Sequence, residues 1–184
     1  FNNLTVDGDS STNDMVLALA NGVSGVTIAS AAEKAVFEAA LFEVCNSLCA
    51  QIAADGEGAT KRVEVRVTGA ATFAEARAVT KAIANSNLVK TAMFGNDPNW
   101  GRILCAIGYS GARFSRKNLA VSLGNMVVCK GLRPVEFANG RMNRALRGKV
   151  VPITVDLGRG KHSAIAQTCD FSYDYVRINA EYTT

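Results

Sequence analysis

Residues 62–68 read RVEVRVT, so that three valines alternate with charged or polar residues. Successive side chains of a β-strand point to opposite faces, and strict alternation therefore predicts a strand with one apolar and one polar face. This strand, with elements on either side of it along the chain, decides the predicted fold.

A long helix is predicted upstream of this strand. Ser30 and Glu33 have the spacing of a capping box, and apolar side chains then recur every three or four residues as far as Asp55-Gly56. We predict one amphipathic helix that ends at this Asp-Gly pair.

The first residues carry weaker patterns of the same kinds. Leu4 and Val6 alternate with polar residues, which predicts a short strand. A polar stretch at residues 7–14 precedes apolar residues at helical spacing, and Gly22 follows. We therefore predict strand, polar turn and helix in this order.

Downstream of the strand, helices come first and strands follow. Thr72 with Glu75 predicts the start of a second helix, and Asp97-Pro98 the start of a third. Alternating runs then predict a hairpin turning at Gly124-Asn125 and further strands at residues 153–157, 163–169 and, in the aromatic tail, 173–184. The fold class is α+β, with a mostly antiparallel sheet in the C-terminal half.

Composition limits the classes of function. The chain has 184 residues, of which 48% are hydrophobic and 20% charged, and its net charge is +4. Charged or small polar residues interrupt every apolar run before the ~20 residues of a membrane span, so no membrane role is expected. Basic residues are scattered except around residues 133–149, which argues against a nucleic-acid partner.

The cysteines and the sole histidine limit the chemistry further. Five cysteines, an odd number without a CxxC pair, predict reduced thiols and a cytoplasmic protein without a structural zinc site. No apolar cleavable leader is seen at the start. His162 lies in a predicted turn, so the sequence offers no Ser-His-Asp or Cys-His arrangement and no metal centre.

Two loops and one helix start are candidate binding sites. The polar stretch 7–14 fails as an EF-hand, because Thr12 stands where that loop needs glycine and Ala18 where it needs glutamate. Residues 55–61, DGEGATK, are either a helix stop with an exposed glutamate or a loop that brings Glu57 to a ligand. Residues 96–102 are either an anion site at a helix start or a structural cap with a packed indole.

Four segments together resemble one family. They are DGDSSTND at 7–14, DGEGATK at 55–61, VKTAMFGNDPNWGRI at 89–103 and YVRINAEYTT at 175–184. In this order they resemble the β chain of ornithine acetyltransferase, the glutamate N-acetyltransferase of the arginine biosynthesis bifunctional protein family. The resemblance extends over essentially the whole chain and implies the layered sheet-and-helix architecture of that family.

This resemblance implies an enzyme made as a self-cleaving precursor. An N-terminal threonine of the β chain would take acetyl from N-acetylornithine and pass it to glutamate, with its own α-amine as base. The chain starts at Phe1, so this nucleophile is expected upstream, and neither Thr5 nor Thr12 replaces it. We expect no catalytic residue in this fragment, which alone would be inactive.

The resemblance also implies partners and substrate contacts. An α chain would supply the oxyanion-stabilising groups in an α2β2 assembly, without a cofactor, although acetyl-CoA is a possible second acetyl donor. Glu57, Asn179 and Thr184 match the substrate-binding positions of the family, and we expect them to meet in one cavity. Asp9 and Arg102, like Asn13 of the first segment, receive no role beyond capping.

Two other functions and a domain division complete the expectations. The alternatives are a non-catalytic amino-acid-binding module and a related amidase or aminopeptidase that uses water as acceptor. Residues 1–58 are expected to complete the catalytic domain as a helical part, and residues 59–184 to form a C-terminal α/β domain.

Overall fold

The computed structural model describes residues 1–182. In chain order, the elements in that range are α1 (Ala31–Ala54), β1 (Arg62–Ala70), α2 (Phe73–Ala84), α3 (Asn87–Phe94), α4 (Trp100–Tyr109), β2 (Ala120–Leu123), β3 (Met126–Lys130), β4 (Arg133–Pro134), α5 (Asn139–Leu146), β5 (Val150–Asp156), β6 (His162–Cys169) and α6 (Tyr173–Glu181).

All six of these strands join one sheet, in the order β4-β3-β2-β5-β1-β6. The pair β1 and β5 is parallel, with Val65 opposite Ile153, and the other four neighbouring pairs are antiparallel. The predicted α+β class with a mostly antiparallel sheet is confirmed. The strand 62–68 that opened the prediction lies between β5 and β6, one position from the sheet edge.

The core lies on one face of the sheet. Val63, Val65 and Val67 of β1 are fully buried, in one cluster with residues of α2 and α4 such as Ile83 and Ile107. The polar residues of β1 point to the opposite face, as alternation requires. The alternation of apolar and polar residues in β1 therefore determines the face of the sheet on which α2 and α4 pack.

The long helix α1 has the predicted caps, but it is not amphipathic. Ser30 and Glu33 form the capping box, and Asp55 ends the helix. Apolar residues occur all round the helix, however, and Val36, Phe37 and Phe42 are 72%, 53% and 63% exposed. By length and composition α1 could cross a membrane, whereas the sequence analysis expected no membrane role. One such helix is weak evidence for a membrane span, because core helices of soluble proteins pass the same test.

The strand and the helix predicted for the first residues are wrong, whereas the polar turn is present at Thr12-Asn13. Leu4 forms a single bridge with Gln167 instead of a strand, and residues 9–29 contain no helix. Leu19 is 95% exposed. A short helix in water is marginal unless its apolar face packs against another element, and within the described residues none covers this segment.

Residues Tyr173–Glu181 of the aromatic tail form a helix, where the sequence predicted a strand held in the sheet. The Ser172 side chain accepts a hydrogen bond from the N–H of Tyr175 and starts α6. Aromatic and β-branched residues favour strands through the neighbours they pack against, and among residues 1–182 the outer edge of β6 pairs only with Leu4. The local cap therefore outweighed the strand propensity.

The remaining differences are smaller. The third predicted helix, α4, begins after Asn99, whose side chain accepts from the Arg102 N–H, and not after Asp97. Helices α3 and α5 and strand β4 were not predicted. The hairpin turn is confirmed, with φ of 53° at Gly124 and 65° at Asn125. The domain division at residue 58 stays a prediction.

Candidate functional site

An open cleft of about 830 Å³ lies between the first residues of the chain, the C-terminal end of α1 and helix α6. Glu57 and Asn179 both line it. These are two of the three substrate positions expected from the sequence. The third, Thr184, lies outside the described residues.

Glu57 and Asn179 are in direct contact although 122 positions separate them. The Asn179 Nδ2 donates to Glu57 Oε2 at 2.7 Å and to the Tyr175 carbonyl oxygen at 3.0 Å. Both side chains are exposed to the cleft, so a ligand can reach them. The expected meeting of the two segments is observed, and the binding role of each residue stays a prediction.

Gly58 explains how the loop comes so close to α6. Its φ is +64°, and a Cβ at this position would lie 2.4 Å from the Tyr175 nitrogen. The Ser172 hydroxyl donates to the Gly58 carbonyl oxygen at 2.5 Å and accepts from the Tyr175 N–H. Only glycine permits this packing of loop against helix start.

The other end of the same loop is held by a buried carboxylate. Asp170 is 1% exposed, and its Oδ1 accepts from the N–H groups of Thr60 at 2.8 Å and Lys61 at 3.0 Å. The Lys61 ammonium in turn donates to Asn96 Oδ1 and to the Leu146 carbonyl oxygen. Burial lowers the pKa of Lys61, and the charge of Asp170 opposes that change.

Asp7 connects the start of the chain to α6. The Tyr175 hydroxyl donates to Asp7 Oδ2 at 2.9 Å, while Asp7 Oδ1 accepts from the Asp9 N–H. Burial first, and then the bond to Asp7, raise the pKa of Tyr175 to about 12. Sequence reasoning missed both residues, although each lies inside a segment that it had singled out.

The Tyr175 shift predicts a pH dependence. The folded state holds the phenolic proton more tightly than the unfolded state, so the stabilisation by this hydroxyl is fully present below about pH 10 and is lost as pH rises towards 12. We expect the difference in unfolding free energy between the wild type and Tyr175→Phe to be constant from neutral pH to about 9 and to shrink above 10. Urea unfolding across this range measures it. A difference that grows with pH would contradict the assignment.

The cleft is acidic. Among the described residues its lining contains one lysine, Lys81, against five side-chain carboxylates: Asp7, Asp9, Asp14, Asp55 and Glu57. A wall of one sign attracts ligands of the other sign, so this cleft suits a ligand that carries an ammonium group.

The other singled-out residues lie elsewhere or play structural parts. Arg102 donates to the Leu88 carbonyl oxygen and to Thr91, which joins α4 to α3. Trp100 packs against the core, in keeping with the structural reading of this segment. Asn13 is exposed, and its N–H donates to Ser11. Across residues 1–182 no group of three or more metal-binding side chains is found.

The comparisons with known proteins agree with one another. The model of the ArgJ family matches residues 1–184. An arginine biosynthesis bifunctional protein ArgJ of Symbiobacterium thermophilum is 50% identical over 186 residues, which cover 100% of this chain and 46% of that protein. A glutamate N-acetyltransferase of Methanocaldococcus jannaschii is 48% identical, over 100% of this chain and 47% of that protein.

A solved structure supports the same relationship. The crystal structure of arginine biosynthesis bifunctional protein ArgJ from Bacillus halodurans superposes with a TM-score of 0.93 at 46% identity, over 99% of this chain and 87% of that one. The chain spans about half the length of the curated relatives it matches. The resemblance read from the four segments is confirmed, and the chain belongs to the ArgJ family.

Proposed function

We propose that this chain is the β-chain portion of a glutamate N-acetyltransferase of arginine biosynthesis, which moves acetyl from N-acetylornithine to glutamate. The observation that carries the proposal is the Asn179–Glu57 hydrogen bond on the wall of an acidic, open cleft. The names of the relatives support it.

The proposed reaction has two half-steps on one threonine. Its hydroxyl attacks the acetyl carbonyl of N-acetylornithine, the amide C–N bond breaks, and ornithine leaves with the proton. The glutamate amine then attacks the acetyl ester and regenerates the hydroxyl. This nucleophile belongs upstream of Phe1 in our proposal, and no residue of this chain forms the covalent bond.

The chain's own residues would bind and orient substrate. Glu57, an exposed carboxylate in an acidic wall, would accept an ammonium group of ornithine. Asn179 and Thr184 have amide and hydroxyl groups suited to the amino-acid head group. The hydrogen bond to Asn179 orients the Glu57 carboxylate before substrate arrives, which supports this division of roles.

A partner chain belongs to the proposal. Large apolar side chains lie exposed on α1 and on the segment before it, including Leu19 at 95% and Val36 at 72%. Exposed apolar surface of this extent is typical of interfaces. We propose that the α chain of a self-cleaved precursor covers it in an α2β2 assembly, located in the cytoplasm, with acetyl-CoA as a second possible acetyl donor and no bound cofactor.

The experiment is an assay of the complete gene product. Mass spectrometry of the purified protein would show whether two polypeptides are present and which residue begins each. Transfer of labelled acetyl from N-acetylornithine to glutamate supports the proposal. Release of acetate instead would indicate an amidase, and binding without turnover a binding module.

Glu57→Gln tests the assigned contact. The amide keeps the size and a hydrogen bond to Asn179 but removes the charge, so we expect KM for N-acetylornithine to rise about tenfold, as loss of one charged hydrogen bond would cause. Steady-state kinetics measure the change. Glu136→Gln, at an exposed position outside the cleft lining, is the matched control, and equal KM values for the two variants would refute the contact.

A further inference from the structure

Lys90 is a charged side chain that the proposed reaction does not use. It lies in α3 and is 1% exposed. Its ammonium donates to the carbonyl oxygen of Val6, to Thr168 Oγ1 at 2.9 Å and to the Cys169 carbonyl oxygen at 2.7 Å, and it faces the Phe171 ring at 5.5 Å. All three of its N–H donors therefore have acceptors.

An ammonium in this position has a cost. Burial lowers the pKa of Lys90, because the charged form loses water. An apolar side chain of similar volume would fill the space without that cost. The hydrogen bonds of Lys90 therefore have a role beyond filling space, and the positions of the three acceptors indicate that role.

Two of the three acceptors, Thr168 and Cys169, belong to β6. The third, Val6, belongs to residues 3–11, a segment that lines the cleft. Within residues 1–182 that segment makes few other hydrogen bonds to the sheet. They run from the Thr5 N–H to the Gln167 carbonyl oxygen, from the Gln167 N–H to the Asn3 carbonyl oxygen and, at 3.8 Å, from the Cys169 thiol to the Val6 carbonyl oxygen. Thr5 Oγ1 also donates to Asn85, the residue that follows α2. Lys90 thus joins the last residue before Asp7 directly to β6.

Asp7 carries this connection onward to the substrate positions. Asp7 accepts a hydrogen bond from the Tyr175 hydroxyl. One turn later in α6, Asn179 donates a hydrogen bond to Glu57. Val6 also packs against the loop, with its Cγ1 only 3.0 Å from where a Cβ on Gly56 would stand. A shift of Val6 would therefore disturb both sides of the cleft: α6, through Asp7 and Tyr175, and the loop that carries Glu57, through the contact with Gly56.

We propose that Lys90 is a positioning residue of the substrate site, which holds Val6 so that Asp7 and Tyr175 keep α6, and with it Asn179, beside Glu57. Lys90 does not touch substrate. The inference rests on the proposed function, because its readout is recognition of the amino-acid part of the acetyl donor.

A second buried lysine provides a matched control. Lys61 is 7% exposed, and its ammonium likewise donates to neutral oxygens, those of Asn96 and Leu146. Neither acceptor belongs to residues 1–9 or to α6. Lys61→Met therefore removes a buried ammonium without removing the connection to Val6.

The test compares two acetyl donors in the processed enzyme. p-Nitrophenyl acetate carries the acetyl group without an amino-acid head group. For Lys90→Met we expect kcat/KM for N-acetylornithine to fall about tenfold through KM, with acylation by the ester within about twofold of wild type. Lys61→Met should leave the ratio between the two donors unchanged.

An equal loss on both donors, or no loss on either, would overturn the proposal, because a structural role alone moves both together. Should Lys90→Met not fold, Thr168→Val, which removes one of the three acceptors and keeps the charge, replaces it. A selective rise in KM for N-acetylornithine then supports the proposal, and an unchanged KM overturns it. A wild-type enzyme that fails to transfer acetyl would refute the proposed function instead.

A double variant tests the route through Tyr175. Residues that act in one chain of contacts show non-additive effects, whereas independent sites add. We expect Lys90→Met combined with Tyr175→Phe to raise KM no more than the larger of the two single changes. Additive changes in the logarithm of KM would show that Lys90 does not act through Tyr175 and would overturn the proposal.

Discussion

Asp170→Ala is expected to lower the free energy of unfolding by about 3–5 kcal/mol, the range found when one member of a buried charged network is removed. Asp170 is the buried carboxylate in the part of the chain that the structure describes, against two buried lysines, Lys61 and Lys90. Its loss leaves the N–H groups of Thr60 and Lys61 without acceptors. Both ammonium groups also lose a nearby negative charge.

Urea unfolding of the processed enzyme measures this effect, and two variants separate its causes. Asp170→Asn keeps an acceptor oxygen but loses the charge, so its free energy of unfolding should lie between those of the wild type and Asp170→Ala. Asp174→Ala is the control, because Asp174 is 59% exposed in its ion pair with Arg177 and its removal should cost less than about 1 kcal/mol. Similar costs at both positions would contradict this account.

Gly58→Ala is expected to lower kcat/KM for N-acetylornithine about a hundredfold, as a displacement of about 1 Å near a reacting centre does. The new methyl group would lie 2.4 Å from the Tyr175 nitrogen and 2.8 Å from the Asp174 carbonyl carbon, both backbone atoms that cannot rotate away. Either the loop or α6 must move, and either movement separates Glu57 from Asn179.

Gly108→Ala is the matched control for this change. Gly108 lies in α4, and apart from the helix's own neighbouring backbone no atom lies within 4 Å of where its Cβ would stand. Alanine is also the better helix former. We expect this variant to keep full activity and to be slightly more stable. A crystal structure of the Gly58→Ala enzyme would show the displaced helix, and unchanged kinetics with α6 in place would refute the argument.

The predicted elements that proved correct depend on chemistry between near neighbours. The capping box at Ser30 and the cap at Thr72 need a partner only three residues away, and the hairpin turn needs positive φ at Gly124 and Asn125. The tail was wrong for a related reason. Its aromatic residues suggested a strand, but a strand needs a neighbour along its length, and this depends on the rest of the sheet.

The candidate site divides in the same way. A family resemblance in local motifs pointed to Glu57 and Asn179, and the structure adds Asp7, Tyr175 and Lys90, which no motif had singled out for a role. Asp7 and Tyr175 are 168 positions apart, and Lys90 reaches across 84 positions to Val6. No periodicity or spacing in the chain encodes such a contact.

By itself the sequence determined the alternation of β1, the caps of α1 and α2, the hairpin and the family to which the chain belongs. Only the tertiary structure decided that the tail is a helix, that the cleft wall is acidic, and that a buried ammonium joins the first residues to β6. The physical reason is range. Caps and turns are settled by hydrogen bonds within a few residues, whereas burial, charge and the meeting of distant segments exist only once the sheet has brought them together.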